Sequence, residues 1–143
     1  MRIAGILATK GSAVVTIPGE ASVADAVAAL AQHRIGALVV SPDGVHIEGI
    51  VSERDVVRLL AVEPGGLLER SVRAIMSSPV RTCTPDHEVA TVMGLMTDER
   101  IRHVPVVHDG VLRGLVSIGD VVKATIEQLE RDRRTLEEYI GAR

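Results

Sequence analysis

Apolar residues recur along this chain with two periods, one near 3.6 and one of 2, and the changes between them mark out the elements. Ile3, Ile6 and Leu7 predict a short amphipathic helix over residues 1–9, ended by Lys10-Gly11. Ala13 to Ile17 is β-like until Pro18-Gly19 breaks it. Ser22-Val23-Ala24-Asp25 opens a helix carrying Val23, Ala26, Val27 and Leu30 at helical spacing, which closes near His33. Strands are predicted over 37–41 and 46–51, joined by the turn signal Ser41-Pro42-Asp43-Gly44, and a helix from Ser52 to about Val62. Residues 64–79 form a connector in which Val72 to Met76 could make one or two helical turns. The same order then returns: a strand over Arg81–Thr84, a helix from Asp86 or His87 to about Glu99, strands over 103–107 and 111–116 about His108-Asp109-Gly110, and a helix from Ser117 to about Ile140.

The return extends to the residues themselves. Ile35-Gly36-Ala37-Leu38-Val39-Val40 and Gly49-Ile50-Val51-Ser52-Glu53-Arg54-Asp55 reappear as Ile101-Arg102-His103-Val104-Pro105-Val106 and Gly114-Leu115-Val116-Ser117-Ile118-Gly119-Asp120. The offset is 66 residues at Ile35/Ile101 and 65 at Ser52/Ser117, so the second turn is one residue shorter. Two such units, each too small to be stable alone, are expected to share a core and to create a cleft of approximate two-fold symmetry. The chain divides into an N-terminal helical segment (1–10), unit 1 (11–63), the connector (64–79), unit 2 (80–126) and a C-terminal helix extension (127–143).

Composition narrows what such a cleft can hold. Of 143 residues 46% are apolar, yet Tyr139 is the one aromatic, so the core is aliphatic. The lack of stacking platforms and the net charge of −3 argue against nucleic acid as a partner. Cys83 is the sole cysteine, which rules out a disulfide within one chain, and it reads as a small core residue. His33, His46, His87 and His108 share no metal-ligand spacing, so no metal site is expected. With no charged-apolar leader and no run approaching 18 apolar residues, a cytoplasmic protein is expected.

The Ser-x-x-Asp spacing of Ser52/Asp55 and Ser117/Asp120 first describes a helix N-cap with an acid in the first turn, as at Ser22/Asp25. What sets the two later copies apart is the preceding Gly-aliphatic-aliphatic and their matched position in both units. This order of elements, with Gly-x-x-Ser-x-x-Asp entering the second helix of each unit, resembles a tandem pair of CBS domains over about residues 10–126. It looks most like the small stand-alone bacterial proteins of that family. The resemblance implies an α+β fold of two pseudo-two-fold-related β-α-β-β-α units sharing one core, here with an extended C-terminal helix. It further implies a regulatory module that binds an adenine nucleotide between its repeats and pairs into homodimers serving some downstream protein.

On that resemblance the Asp accepts from ribose hydroxyls and the Ser hydroxyl donates to phosphate, roles that fall to Asp120 with Ser117 and to Asp55 with Ser52. The helix N-terminus beside the phosphate adds backbone donors. Adenine is expected between Thr82, Cys83 and Thr84 on one side and His103, Val104 and Pro105 on the other, with Arg54, Arg102, His103 and Lys10 meeting the phosphate. The Asp120 site is expected to be the better one, and a second, weaker site falls at Asp55, Ser52, Ala37, Leu38 and Thr16. AMP is the expected ligand, with ADP, ATP or NAD sharing its adenosine monophosphate part. S-adenosylmethionine, or a ligand-independent interaction module, are the competing readings.

No catalytic set is legible: no nucleophile beside a base, no paired-carboxylate cleft and no phosphate-binding glycine loop. Along the last helix Val122, Ile126, Leu129, Arg133, Leu136 and Ile140 step by 4, 3, 4, 3 and 4, and Glu127–Arg131 and Glu130–Arg134 stand at i,i+4. The stripe could face its own unit or a second subunit. Its continuation past the end of the repeat favours the second subunit.

Overall fold

The helix and strand order appears twice in the computed structural model, which describes residues 1–142; residue 143, the last of the expected extension, lies outside the described residues. The first half runs α1 (Ile3–Lys10), β1 (Thr16–Ile17), α2 (Val23–His33), β2 (Ala37–Val40), β3 (Gly49–Ser52) and α3 (Glu53–Val62). A 3-10 turn (Leu67–Glu69) and α4 (Val72–Ile75) form the connector, and α5 (Val89–Glu99), β4 (His103–His108), β5 (Val111–Ser117) and α6 (Ile118–Gly141) follow.

β1 runs parallel to β2 and β2 antiparallel to β3, with Ile17 opposite Val40. In the second half β4 and β5 form an antiparallel pair. The strand expected over Arg81–Thr84 shrinks to one parallel bridge, Cys83 to Val106, at the position 66 residues on from Ile17 and Val40. Its Cys83 N–H donates to Pro105 O and its carbonyl accepts from Val107 N–H, after which Pro85 has no donor to continue the ladder. The expected strand from residue 46 begins only at Gly49, because the Asp43 carboxylate accepts the N–H groups of Val45 and His46 and turns the chain there.

The two units hold each other by exchange. Cys83, Val104, Val106, Val116 and Val121 of the second half bury Ile3 and Ile6 of α1, the first element of the first half. Leu38, Val40 and Val51 of the first half bury Val72 of α4, which precedes the second. A third cluster joins Val23 and Val56 to Leu67 of the 3-10 turn, an anchor that the sequence pattern did not reveal. The hydrogen bonds repeat as well: Ile3 N–H to His87 O and Val89 N–H to Met1 O on one side, Val72 N–H to Ala21 O and Val23 N–H to Arg70 O on the other.

These crossings explain the glycine of each motif. Leu7 of α1 lies where a Cβ on Gly114 would come within 2.6 Å, and Met76 lies within 2.5 Å of the Cβ that Gly49 lacks. Past Met76 the backbone itself is close, with Ser77 O at 2.9 Å from that Cβ position.

Lys10 at the end of α1 reaches across to α6, donating to Asp120 Oδ2 at 2.5 Å and to Leu115 O at 2.8 Å. Burial pushes the Asp120 carboxyl upward, but the Lys10 and Ser117 hydrogen bonds outweigh it and hold the group below its ordinary 3.8. Among the described residues no helix is long and apolar enough to cross a membrane.

Two measurements follow from this packing. Gly49→Ala should cost about 1–3 kcal/mol and Gly114→Ala less, because Leu7 is a flexible side chain and the Ser77 carbonyl is not; thermal denaturation that ranks them the other way would refute the crossing geometry. Lys10→Met should lower stability at neutral pH by up to about 1 kcal/mol for so exposed a pair. Since the Asp120 pKa is depressed on folding, that stabilisation is present above 3.8 and is lost as pH falls through the folded value, so wild-type and Lys10→Met denaturation curves should converge in strong acid.

Candidate functional site

Each Gly-x-x-Ser-x-x-Asp motif is a strand running directly into a helix, and its Ser and Asp close a reciprocal capping box. Ser52 N–H donates to Asp55 Oδ2 at 3.0 Å and Asp55 N–H to Ser52 Oγ at 3.2 Å. The Ser117/Asp120 pair repeats this at 2.8 and 3.1 Å. Ser22 and Asp25 form the same box at the start of α2, so the box alone marks no site. In the two later copies the strand carries the cap to a cleft, where the serine O–H is still available as a donor.

There are two such clefts, related by the internal symmetry, and each draws its walls from both units. One, of about 320 Å³, lies between Ser52, Arg54, Asp55 and Arg58 of the first half and Arg100, Ile101, Arg102 and His103 of the second. The other, of about 300 Å³, sets Ser117 and Leu115 against Ala13, Val14, Val15, Arg34, Ile35 and Ala37. Lys10 lines the second cleft, and Gly36 and His103 line both. A Cβ on Gly36 would lie 3.2 Å from the His103 ring, so the bare glycine lets the imidazole stand in the wall between the two.

This arrangement regroups the residues singled out from sequence. Arg54, Arg102 and His103 were expected around Asp120. The start of β4 pairs with its own unit's cap, His103 standing opposite Ser117 and Arg102 O accepting from Ile118 N–H, but the Arg102 side chain lines the Asp55 cleft with Arg54, and His103 lines both clefts. Lys10 is with Asp120 as expected, but as the carboxylate's ion-pair partner. Cys83, Val104 and Pro105 are core residues, and Thr82 opens onto a separate cleft beside His46 and Pro79. Thr84 receives its contact within its own turn, its N–H donating to His87 Nδ1 at 2.9 Å. On the first-half list Ala37 edges the Ser117 cleft, whereas Asp120 lines a neighbouring hollow with Lys123 and Glu127; Leu38 is fully buried and Thr16 lies in β1, half-buried.

The electrostatics of the two clefts differ. Among the described residues the side chains of Arg54, Arg58, Arg100 and Arg102 have no ion pair or hydrogen bond, whereas those of Arg2, Arg70, Arg73, Arg81 and Arg133 are paired with carboxylates. Asp55 meets only its cap, while Asp120 is bound by Lys10. Burial, aided by the charge of Lys10, pulls the His103 pKa below its ordinary 6.5, so the ring is neutral at pH 7. Burial likewise pushes the Cys83 thiol up to about 11, which makes it unreactive. Among the described residues no group of three His, Cys, Asp or Glu side chains could hold a metal ion.

Arg58 and Arg100 were missed at the sequence level. Arg58 lies one turn beyond Arg54 on α3. Arg100 has a visible signal, since Arg34-Ile35 and Arg100-Ile101 extend the repeat by one residue toward the N-terminus. Both arginines end their helices in the left-handed region, at φ 53° and 55°, where a side chain costs roughly 1–2 kcal/mol and glycine is the usual choice. Each then lines one of the clefts.

Comparisons with known proteins agree with the repeated fold. The CBS domain model matches residues 8–62 and again 72–127. A CBS domain-containing mitochondrial protein of Arabidopsis thaliana is 41% identical over 123 residues, covering 83% of this chain, which spans 60% of that protein's length. The crystal structure of a CBS-domain containing protein from Agrobacterium tumefaciens superposes with a TM-score of 0.83 at 40% identity, over 87% of this chain and 99% of that one. A CBS domain protein from Pyrobaculum aerophilum, complexed with AMP, gives 0.73 at 30% identity over 84% and 89%. With its two matched repeats, its paired clefts and its capped Ser-x-x-Asp helices, this chain belongs to the CBS-domain family as a tandem pair.

Proposed function

We propose that the chain is a regulatory module that binds an adenine nucleotide, AMP or a close relative of it, in the cleft at Asp55. The observation that carries this reading is the set of four unpartnered arginines around a capped helix start. Glu53 and Glu99 also line this cleft, Glu99 being held by Arg81, yet none of the four arginines is paired with a carboxylate, and unpaired cations on cleft walls favour an anionic ligand. The Ser52 hydroxyl and the N-terminus of α3 add donors for phosphate, and the free oxygen of Asp55 can accept from a ribose diol. Ile50 and Ile101 supply aliphatic walls for a base. The AMP complex of the Pyrobaculum relative supports the ligand class.

The Ser117 cleft fits the same adenosine part less well, because Asp120 is bound by Lys10 and is not among its lining residues, and Arg34 is the one further cation there. The ranking drawn from sequence is therefore reversed in this proposal. Arg54 and Arg102 both belong to the Asp55 cleft, and the phosphate with them.

A ligand of roughly 23 heavy atoms at about 0.3 kcal/mol each binds with a Kd on the order of 10 μM. Titration calorimetry with AMP should find that affinity, and Asp55→Ala should weaken it by about 1.5–3 kcal/mol while Asp120→Ala changes it little. The absence of heat with AMP, ADP and ATP up to millimolar concentration would refute the reading. Phosphate beside His103 favours the protonated ring, so binding should take up a proton as pH falls through the imidazole's range. The affinity ratio of wild type to His103→Gln should accordingly be larger at pH 6 than at pH 8.

A further inference from the structure

Asp55 and Asp120 cap matched helices, but only Asp120 meets a lysine. Its Oδ2 already accepts the Ser117 N–H at 2.8 Å and takes a second donor from Lys10 Nζ, which also donates to Leu115 O at 2.8 Å. Among the described residues Asp55 Oδ2 accepts the Ser52 N–H alone. The same lysine divides the space around its partner. A hollow of about 260 Å³ between α1 and α6 is lined by Asp120, Lys123 and Glu127, and the Ser117 cleft of about 300 Å³ lies beside it. Lys10 alone among the described residues lines both, so its side chain is the partition that keeps Asp120 out of the cleft its own capping serine borders.

We infer that Lys10 is an internal gate: its ammonium takes the place of a ribose diol on Asp120, and withdrawing it joins Asp120 to the Ser117 cleft and opens a latent second nucleotide site. The inference rests on the nucleotide reading of the Asp55 cleft. Ammonium and ribose compete because both donate to the same carboxylate. The lysine is tethered and so present at high effective concentration, whereas a nucleotide must arrive from solution. The rest of the set is in place. Ser117 has a hydroxyl proton to donate, α6 begins with free N–H groups, Arg34 lines the cleft as a cation, and Val14, Val15 and Ile35 form aliphatic walls. Lys10 is the last residue of α1 and its side chain is 40% exposed, so the stem can swing into solvent while Ile3 and Ile6 stay buried.

Titration calorimetry of the full chain with AMP reads the gate as a stoichiometry. The wild type should bind one AMP per chain. Lys10→Ala should bind two, the second about tenfold more weakly because one arginine stands where the other cleft has four, and adding Asp120→Ala should abolish the second alone. Lys10→Met keeps the stem packed and removes only the ammonium, so it should free Asp120 even where the alanine variant fails to fold. Lys10→Arg keeps the ion pair and should keep the count at one. Two AMP per wild-type chain, one of them lost with Asp120→Ala, overturn the gate and leave the Asp55 reading intact. So does a single AMP on both Lys10→Ala and Lys10→Met. A wild type that binds none refutes the Asp55 reading, and the gate is then decided on the lysine variants: one AMP that Asp120→Ala removes upholds it, and none overturns it.

Discussion

The close approach of a foreign segment to a glycine in each unit holds this molecule together. α1 crosses β5 at Gly114, and Met76-Ser77, just past α4, cross β3 at Gly49, so each unit completes its core with a segment that precedes the other. A unit of some 60 residues buries too little apolar surface to be stable by itself. Exchange removes that weakness and leaves neither unit able to form its full core alone. The same crossings set the distance between the halves, and with it the width of both clefts.

The site is a by-product of this arrangement. A capping box is a local device that satisfies two helix N–H groups wherever Ser and Asp stand three apart, and α2 shows it with no cleft beside it. At Ser52 and Ser117 the strand before the helix is gripped by the crossing segment, and the cap is thereby held against the other unit. Binding chemistry and fold stability then draw on the same few residues. Lys10 illustrates the tension, since it ties α1 to α6 through the carboxylate a ribose would otherwise use.

Divergence between the repeats separates the clefts chemically. Gly36-Ala37 became Arg102-His103, and α4 ends at Ile75, too short to send a lysine toward Asp55 as α1 does toward Asp120. One cleft sets four unpaired arginines among Glu53, Asp55 and Glu99, with Asp55 held only by its cap; beside the other, Asp120 is tied to Lys10. His103 stands between them, and its depressed pKa records both its burial and its proximity to Lys10.

Much of this was legible in the chain. Periodicity and turn residues located the helices to within a few positions, because helix caps and hydrophobic stripes are local properties. The repeat made the pairing of two units and the two Ser-x-x-Asp helices plain, and the glycine before each serine signalled a close approach without saying what approached. The grouping of Arg54 with Arg102 and His103 was expected from the repeat, but two things were settled only by tertiary structure: that these side chains share a cleft with Asp55, and that Lys10 is committed to Asp120. The reason is physical. A repeat specifies what each unit contains, while which side chains of one unit stand against the other's cap depends on how the units pack, through contacts between residues far apart in sequence that leave no periodic trace.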